Sequence, residues 1–370
     1  MPMVDGFPVC SNCGWNIGYE GYCTICDTCM FCCTCEDPWK KDAKVKNEPL
    51  EDIGFYTLSD ERAANTSGTS PMQRCELILT DRCNFKCAYC RPLRADARGD
   101  LPIEQAKKVV RSWAEDGLKN IRFSGGEPTI YPHILEIVKF AKKSRIERIA
   151  ISTNGSADLS VYEELIDNGV NDISISLDGC CAADVEAMSG SSNTVGSKVI
   201  QNIADLSKLT YVTVGVVLTD DNYDKVCEII EFADSLGVAD IRVIPAAQND
   251  VLVEAMDNIP EKILDKHPIL KYRTDNVRQG IGVRGIKETD CHRCLLLQDD
   301  SVVAGDYHFP CIIYLREGGE PIGVFDDYEK VRKARVKWAN EHDTYADPIC
   351  SSNCLDVCVQ YSNKAKSFFR

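Results

Sequence analysis

The distribution of cysteine is the feature that most constrains how this chain can fold. Cysteine accounts for 21 of the 370 residues, and most of these fall into three groups separated by long stretches of chain. A disulfide scaffold is normally short and secreted, whereas a cytosolic chain of this length is expected to use thiolates for metal. The pattern therefore predicts three metal-binding regions. They comprise Cys10, Cys13, Cys23, Cys26, Cys29, Cys32, Cys33 and Cys35; Cys83, Cys87 and Cys90; and Cys291, Cys294, Cys311, Cys350, Cys354 and Cys358.

The start of the chain and its charge limit its location and partners. The first residues contain neither a basic segment nor an apolar stretch, so we expect a cytoplasmic protein. The longest apolar run, residues 211–218, is too short to cross a bilayer, so we expect no membrane association. Lys and Arg total 42 against 57 Asp and Glu. The resulting net charge of −15 disfavours nucleic acid as a partner.

Short β-rich runs alternate with segments of helical period in the middle of the chain. This alternation is typical of βα units and a parallel sheet, and six such units predict an incomplete (β/α)6 TIM-like barrel of the α/β class. The predicted strands are 75–80, 120–124, 148–152, 172–177, 211–218 and 240–244. The clearest predicted helices are 102–116, 132–143 and 222–235.

Four regions follow from this organisation. Residues 1–37 form a cysteine-rich, zinc-ribbon-like segment, and the polar residues 38–71 read as a linker. The barrel is expected over 72–247. Residues 248–370 are expected to form a small α+β module, with two short strands within 302–309 around a Gly-Asp turn and a helix over 327–340.

Polar or glycine-rich sequences follow every predicted strand. In parallel α/β barrels these loops converge on one face, which carries the chemistry. The loop after the first strand holds Cys83, Cys87 and Cys90 with C-x3-C-x2-C spacing. Three thiolates are one fewer than a 4Fe-4S cluster needs, so one iron keeps a position for a small ligand. A partial zinc site is the alternative interpretation of these cysteines.

These motifs together resemble the radical S-adenosylmethionine (SAM) superfamily. The resemblance rests on the three cysteines, on Tyr89 before the last of them, and on Gly125-Gly126-Glu127-Pro128, and it covers roughly residues 75–245. Residues 82–90, Thr153-Asn154-Gly155 and the motif 176–179 are most similar to the branch that contains GTP 3′,8-cyclase and the SPASM/twitch peptide-modifying enzymes.

The resemblance implies that the fourth position of the cluster binds the amino and carboxylate groups of SAM. Gly125, Gly126 and the carboxylate of Glu127 would receive the ammonium group. Tyr89 would lie near the adenine, and the region that ends at Leu218 would brace the adenine edge. The remaining implied contacts are Ser152, Thr153 and Asn154, near the ribose or methionyl carboxylate, and Ser176 and Asp178 on the same face.

The resemblance also implies the reaction. One electron from an external flavodoxin- or ferredoxin-like reductant would split SAM, and the 5′-deoxyadenosyl radical would abstract hydrogen from the substrate. A peptide or protein is the leading substrate hypothesis. A small molecule such as a nucleotide, sugar or antibiotic intermediate is the alternative, and a zinc-rich interaction protein on a decayed barrel is a hypothesis of a different class.

The C-terminal cysteines provide enough thiolates for a second 4Fe-4S cluster. Cys294 and Cys311, followed by Cys350 and Cys354, resemble the auxiliary cluster of a twitch domain, while Cys291 and Cys358 stay ambiguous and zinc is the alternative metal. The spacing before Cys311 and the tail Ser367-Phe368-Phe369-Arg370 depart from the GTP 3′,8-cyclases. We therefore do not assign cyclase activity.

The N-terminal group has the spacing of a zinc ribbon. Cys10-x2-Cys13-x9-Cys23-x2-Cys26 indicates zinc, and the four cysteines from Cys29 to Cys35 predict a second site, with interleaved pairings or an iron-sulfur site as alternatives. This segment has either a structural role or a role in recruiting a peptide or protein. The remaining thiols are interpreted as packed or adventitious, with Cys180 and Cys181 alternatively facing substrate. They are Cys75, Cys180, Cys181 and Cys227.

Overall fold

The computed structural model describes residues 55–191, 194–247 and 254–368, together with the backbone of residues 3–4 and 7–8. The chain forms two compact units, residues 1–45 and residues 46–370. In the first unit, strand β1 (Met3–Val4) pairs antiparallel with β2 (Phe7–Pro8). The predicted zinc ribbon, from Cys10 to Cys35, lies outside the described residues.

The second unit is built on a parallel sheet of the predicted kind. Each strand pairs with the next along the chain, in the order β3-β4-β5-β6-β7-β8. All six predicted strands are confirmed to within two residues at either end. They are β3 (Arg74–Thr80), β4 (Asn120–Gly125), β5 (Arg148–Thr153), β6 (Asp172–Ser176), β7 (Tyr211–Leu218) and β8 (Asp240–Pro245).

The C-terminal hairpin extends this same sheet. Strands β9 (Asp300–Ala304) and β10 (Tyr307–Phe309) form the predicted hairpin, and β11 (Gly323–Val324) pairs antiparallel with β10. Strand β9 also pairs parallel with β3, in a register that places Asp300 beside Arg74. Among the residues that the structure describes, the sheet therefore has nine strands and two ends, at β8 and β11. It is not closed, which confirms the incomplete barrel.

Helices follow the strands of the barrel, as the periodicity predicts. In α2 (Ile103–Glu115), the apolar residues Ala106, Val109, Val110 and Trp113 recur at helical spacing and are buried. The other helices of the barrel and of the segment after it are α3 (Ile134–Lys143), α4 (Leu159–Asp167), α5 (Ala182–Ser189), α6 (Val195–Leu206), α7 (Val226–Ser235), α8 (Glu261–Leu264) and α9 (Pro268–Arg278).

Helices also flank the sheet at both ends of the second unit. Helix α1 (Asp60–Asn65) lies in the stretch expected as a linker, where Tyr56 and Ala63 pack against Leu296 and Tyr361. The C-terminal helices are α10 (Ile312–Arg316), α11 (Tyr328–Glu341), α12 (Pro348–Asn353) and α13 (Asp356–Phe368). None of the described helices has both the length and the hydrophobicity needed to span a bilayer.

The two faces of the barrel strands differ in chemistry. Along β4, Ile121 and Phe123 are completely buried, whereas the alternate residues Arg122 and Ser124 line a cavity. Successive strand residues point to opposite faces of a sheet. One face of the strands therefore forms apolar core, and the other carries polar groups into the interior of the barrel.

Candidate functional site

A single cavity of about 510 Å³ lies at the carboxyl ends of β3 to β8. Its wall combines the loops after these strands with the C-terminal helices. Two of the three predicted cysteine groups line it, although more than 190 residues separate them in sequence. The cysteines in its wall are Cys83, Cys87, Cys90, Cys291, Cys294, Cys311, Cys350, Cys354 and Cys358.

The loop after β3 presents three thiols to this cavity. Cys83 and Cys90 are exposed and Cys87 is partly buried. Burial raises the pKa of Cys83, and burial together with the carboxylate of Asp178 raises the pKa of Cys87 to about 11. A bound metal reverses this effect, because its positive charge stabilises the thiolates. Three converging soft ligands surrounded by negative groups fit an iron-sulfur cluster.

Two glycines allow the loop after β4 to lie directly against the cysteine loop. Gly125 has a φ of +139°, and a Cβ there would lie 2.1 Å from the carbonyl oxygen of Thr80. A Cβ on Gly126 would lie 2.0 Å from the carbonyl oxygen of Arg82. Instead, the amides of Gly126 and Glu127 donate to these two carbonyls at 2.7 and 2.8 Å. A side chain at either glycine would therefore separate the two loops.

The carboxylate of Glu127 joins the loop after β4 to the loop after β5. It is completely buried and accepts four hydrogen bonds: two from Thr129, one from the Thr153 hydroxyl and one from the backbone amide of Asn154. Burial raises its pKa, while the amide of Asn154 favours the ionised form. This carboxylate positions Asn154. Its implied contact with the SAM ammonium stays a prediction.

Tyr89 and Asp178 connect three further loops. The hydroxyl of Tyr89 donates to one carboxylate oxygen of Asp178, and the amide of Val217 donates to the other at 2.7 Å. The side chain of Asn222 donates to the carbonyl of Asp178 at 2.9 Å. Burial raises the pKa of Asp178 to about 6. The pair therefore holds the cysteine loop against the carboxyl ends of β6 and β7.

The structure brings most of the predicted SAM-binding residues to the cavity wall. Glu127 lies buried behind the wall, and so does Leu218, whose neighbours Val216 and Val217 line the cavity instead. The side chain of Asn154 donates to Asn84 at 2.8 Å and lies 3.9 Å from the sulfur of Cys83. The predicted residues in the wall are Tyr89, Gly125, Gly126, Ser152, Thr153, Asn154, Ser176 and Asp178.

The C-terminal cysteines form a second group of neighbouring thiols. Burial, together with the proximity of Cys358, raises the pKa values of Cys294 and Cys311 to about 12. Cys354 forms a hydrogen bond with Cys358. Cys350 interacts with Cys294 and Cys311. Five thiols thus lie together, more than the four that one 4Fe-4S cluster needs.

Cys291, which the sequence left ambiguous, has different surroundings. It is 5% exposed, packs with Leu295 and Ala365, and donates to the carbonyl of Arg293 at 3.4 Å. Cys358, the other ambiguous residue, interacts with Cys294, Cys311 and Cys354. The geometry therefore groups Cys358, rather than Cys291, with the four cysteines that the sequence favours.

Two arginines that sequence reasoning missed organise this region. Arg335 of α11 is completely buried and donates to the carbonyls of Leu297, Phe309, Asp300 and Pro310, in the segments that carry Cys294 and Cys311. Burial lowers its pKa to about 10. Arg316 of α10 donates to the carbonyls of Arg91 at 2.8 Å and Gly125 at 2.6 Å. An arginine in an amphipathic helix carries no sequence signal for such a role.

Two smaller groups of side chains within the described residues have the spacing of single-ion ligands. One is Cys180, Cys181 and Asp184, where the Cys180 thiol lies 3.3 Å from a carboxylate oxygen of Asp184. Lys225 already pairs with that carboxylate at 3.2 Å. Cys180 and Cys181 are not part of the cavity wall. The other group is His342, Asp347 and Cys350.

Comparison with known sequences identifies the central part of the chain. Residues 77–233 match the Radical SAM superfamily. A probable GTP 3′,8-cyclase of Pyrococcus abyssi is 31% identical over 166 residues, 44% of this chain and 53% of that protein, so the chain spans about half of that relative's length. A probable GTP 3′,8-cyclase of Methanococcus maripaludis is 24% identical over 289 residues, 74% of this chain and 96% of that protein.

Comparison with solved structures extends the similarity to the C-terminal part. SuiB of Streptococcus suis bound to S-adenosylmethionine has a TM-score of 0.54 at 14% identity, covering 82% of this chain and 78% of that one. SuiB bound to the precursor peptide SuiA has a TM-score of 0.53 at 17% identity, covering 80% of this chain and 69% of that one. At these identities the similarity shows a shared fold.

Proposed function

We propose that this chain is a radical SAM enzyme of the SPASM and GTP 3′,8-cyclase-like branch, and that it removes a hydrogen atom from a peptide or protein and thereby modifies it. The observation that carries this proposal is the single cavity of about 510 Å³ that holds the C-x3-C-x2-C loop on one side and the C-terminal cysteines on the other. When bound, the 4Fe-4S cluster and SAM supply the 5′-deoxyadenosyl radical.

The chain's own residues would hold SAM and shield the reaction. Cys83, Cys87 and Cys90 would hold the 4Fe-4S cluster, and three thiolates would leave one iron position free for SAM. The loops on either side are fixed by the buried carboxylates of Glu127 and Asp178, so the residues between them need little reorganisation on binding. The C-terminal helices form part of the cavity wall and would shield a reactive intermediate from water and oxygen.

The C-terminal thiols support a second 4Fe-4S cluster in the same proposal. Cys294, Cys311 and Cys354, with Cys350 or Cys358, would hold it, and Arg335 fixes the segments that carry the first two. We further propose zinc at the N-terminal cysteines and an external flavodoxin- or ferredoxin-like reductant. Both rest on the sequence, because the N-terminal cysteines lie outside the described residues.

A small-molecule substrate is the second candidate. The sequence similarity to probable GTP 3′,8-cyclases favours a nucleotide or a similar compound. The fold shared with SuiB, a structure of which contains a precursor peptide, favours the peptide hypothesis. A cavity of about 510 Å³ is in the usual range for small-ligand sites. In the peptide hypothesis, it therefore admits a side chain rather than a folded segment.

Anaerobic reconstitution tests the proposed activity. The protein is loaded with iron and sulfide, reduced with dithionite and incubated with SAM, and 5′-deoxyadenosine is measured. We expect the wild-type protein to form it and Cys83→Ala to form none, while the control Cys227→Ala, outside the cavity wall, forms as much as wild type. A reconstituted wild-type protein that forms no 5′-deoxyadenosine would contradict the proposal.

A further inference from the structure

The interior of the barrel is unusually polar. Parallel barrels normally fill this space with bulky branched side chains, packed in layers. Here the inward residues of the strands are serines and charged groups, and they line the cavity instead of closing it. They are Arg74, Glu76, Arg122, Ser124, Ser152, Ser174, Ser176 and Arg242. An interior of this kind provides hydrogen-bond donors to a bound molecule.

Most arginines of this interior have a carboxylate partner. Arg74 pairs with Asp300, and Arg122 lies 3.7 Å from Asp172. Arg273, on α9, pairs with Asp356 at 2.6 Å. These ion pairs are largely buried, and Asp172 also pairs with Arg148 at 3.3 Å.

Among the arginines of the barrel strands, Arg242 of β8 is the exception. Within the described parts of the chain, no carboxylate oxygen lies within 4.0 Å of its guanidinium. Its Nε atom is buried and has no hydrogen-bond partner among the described residues. The nearby acidic residue, Glu76, already accepts a hydrogen bond from Ser124 at 2.6 Å. Burial, together with the charge of Arg122, lowers the pKa of Arg242 to about 10.

The fold leaves room for this side chain. Arg242 is paired in register with Gly215 of β7, which is paired with Ser176 of β6. A Cβ at Gly215 would lie 3.6 Å from an Nη atom of Arg242, so the glycine keeps the space beside the guanidinium open. Ser176 lies two strands away from Arg242 in the same row across the sheet, and it also lines the cavity.

A buried guanidinium that no carboxylate contacts is costly unless a ligand supplies that contact. We propose that Arg242 binds a carboxylate or phosphate group of the substrate in the interior of the barrel. The neighbouring serine hydroxyls donate to the same group, because an oxoanion accepts several hydrogen bonds at once. This assignment rests on the proposed function, since it places the substrate beside the SAM site of the same cavity.

Binding of simple anions tests the assignment directly. Pyrophosphate and succinate are titrated separately into the reconstituted, SAM-loaded full chain by anaerobic calorimetry. We expect saturable binding of about one equivalent of at least one probe, and the preferred probe distinguishes a phosphate from a carboxylate ligand. Arg242→Gln should weaken that binding at least about ten-fold, because it removes a charge-assisted hydrogen bond. Arg242→Lys, which keeps the charge, should weaken it less.

The control is Arg111→Gln, an exposed arginine on α2 outside the cavity, which should bind as wild type does. Absence of saturable binding to wild type, or equal binding to wild type and Arg242→Gln, would overturn the assignment. If Arg242→Gln loses as much affinity for SAM as it loses for the anion probe, the arginine binds the carboxylate of SAM, and the assignment to substrate is also overturned. Formation of 5′-deoxyadenosine by the same wild-type preparation tests the proposed function separately.

Discussion

Replacing the buried carboxylate of Glu127 by an amide tests how the SAM-binding loops are held. The carboxylate accepts from the backbone amides of Asn154 at 2.7 Å and Thr129 at 3.0 Å, one on each of its oxygens. In Glu127→Gln, the side-chain amide has only one oxygen. Whichever way it turns, its NH2 group faces one of these two amides. Neither backbone donor can rotate to become an acceptor, so one buried donor loses its partner.

An unpaired buried donor costs about 1–3 kcal/mol. For a domain of a few hundred residues, this corresponds to a fall in melting temperature of about 2–10 °C. One of the two donors to Glu127 is the backbone amide of Asn154, whose side chain lies 3.9 Å from the Cys83 sulfur. Because the substitution disturbs Asn154, we also expect weaker SAM binding. Thermal unfolding and SAM titration of the reconstituted protein measure the two effects.

The matched control is Glu163→Gln, which makes the same change at an exposed position on α4. It should melt and bind SAM as wild type does. If Glu127→Gln melts within 1 °C of wild type and binds SAM with unchanged affinity, the two carboxylate oxygens do not hold the loops after β4 and β5 together.

Three further changes test other parts of the site. Asp178 has its folded-state pKa raised to about 6, so its stabilising contribution is present below pH 4 and is lost as pH rises toward 6. The melting temperature of Asp178→Asn should therefore rise relative to that of wild type as the pH increases from 5 to 7. A difference in melting temperature that stays constant over this range would refute the prediction. Cys311→Ala should lower bound iron by about four atoms per chain, whereas Cys291→Ala should keep it; equal loss in both would contradict the grouping of the thiols. Arg335→Met leaves four carbonyls without their donor and should also reduce iron at the C-terminal cysteines, as measured by iron and sulfide analysis; full occupancy would show that the arginine is dispensable.

The elements that sequence predicted well are those with a strong local pattern. Residues 211–218 are rich in valine and other strand-forming residues, and the predicted strand matches β7 at both ends. The motif Gly125-Gly126 also has a local meaning, because only glycine permits the approach to Thr80 and Arg82. The site residues follow strands whose parallel arrangement brings their carboxyl ends to one edge. Their convergence could therefore be predicted without knowing any side-chain contact.

The features that sequence did not provide depend on distant partners. Nothing in the pattern of β9 indicates that it pairs with β3, because any exposed sheet edge can accept such a strand. Leu218 is buried outside the cavity wall, whereas Val216 and Val217 of the same strand line it, and no local pattern separates these three apolar residues. Arg335 and Arg242 look like ordinary charged residues until tertiary structure surrounds them. Their roles arise from contacts far apart in sequence, which no local motif records.

The most direct test of the account is electron paramagnetic resonance of the anaerobically reduced protein with and without SAM. The measurements are made in the Cys354→Ala variant, because loss of the C-terminal cluster is expected to leave only the signal of the cluster at Cys83, Cys87 and Cys90. The account predicts a 4Fe-4S signal whose g-values change when SAM is added, and the loss of that signal in Cys87→Ala. A signal that does not respond to SAM, or that survives in Cys87→Ala, would contradict the claim that these three cysteines hold a cluster with an iron open to SAM.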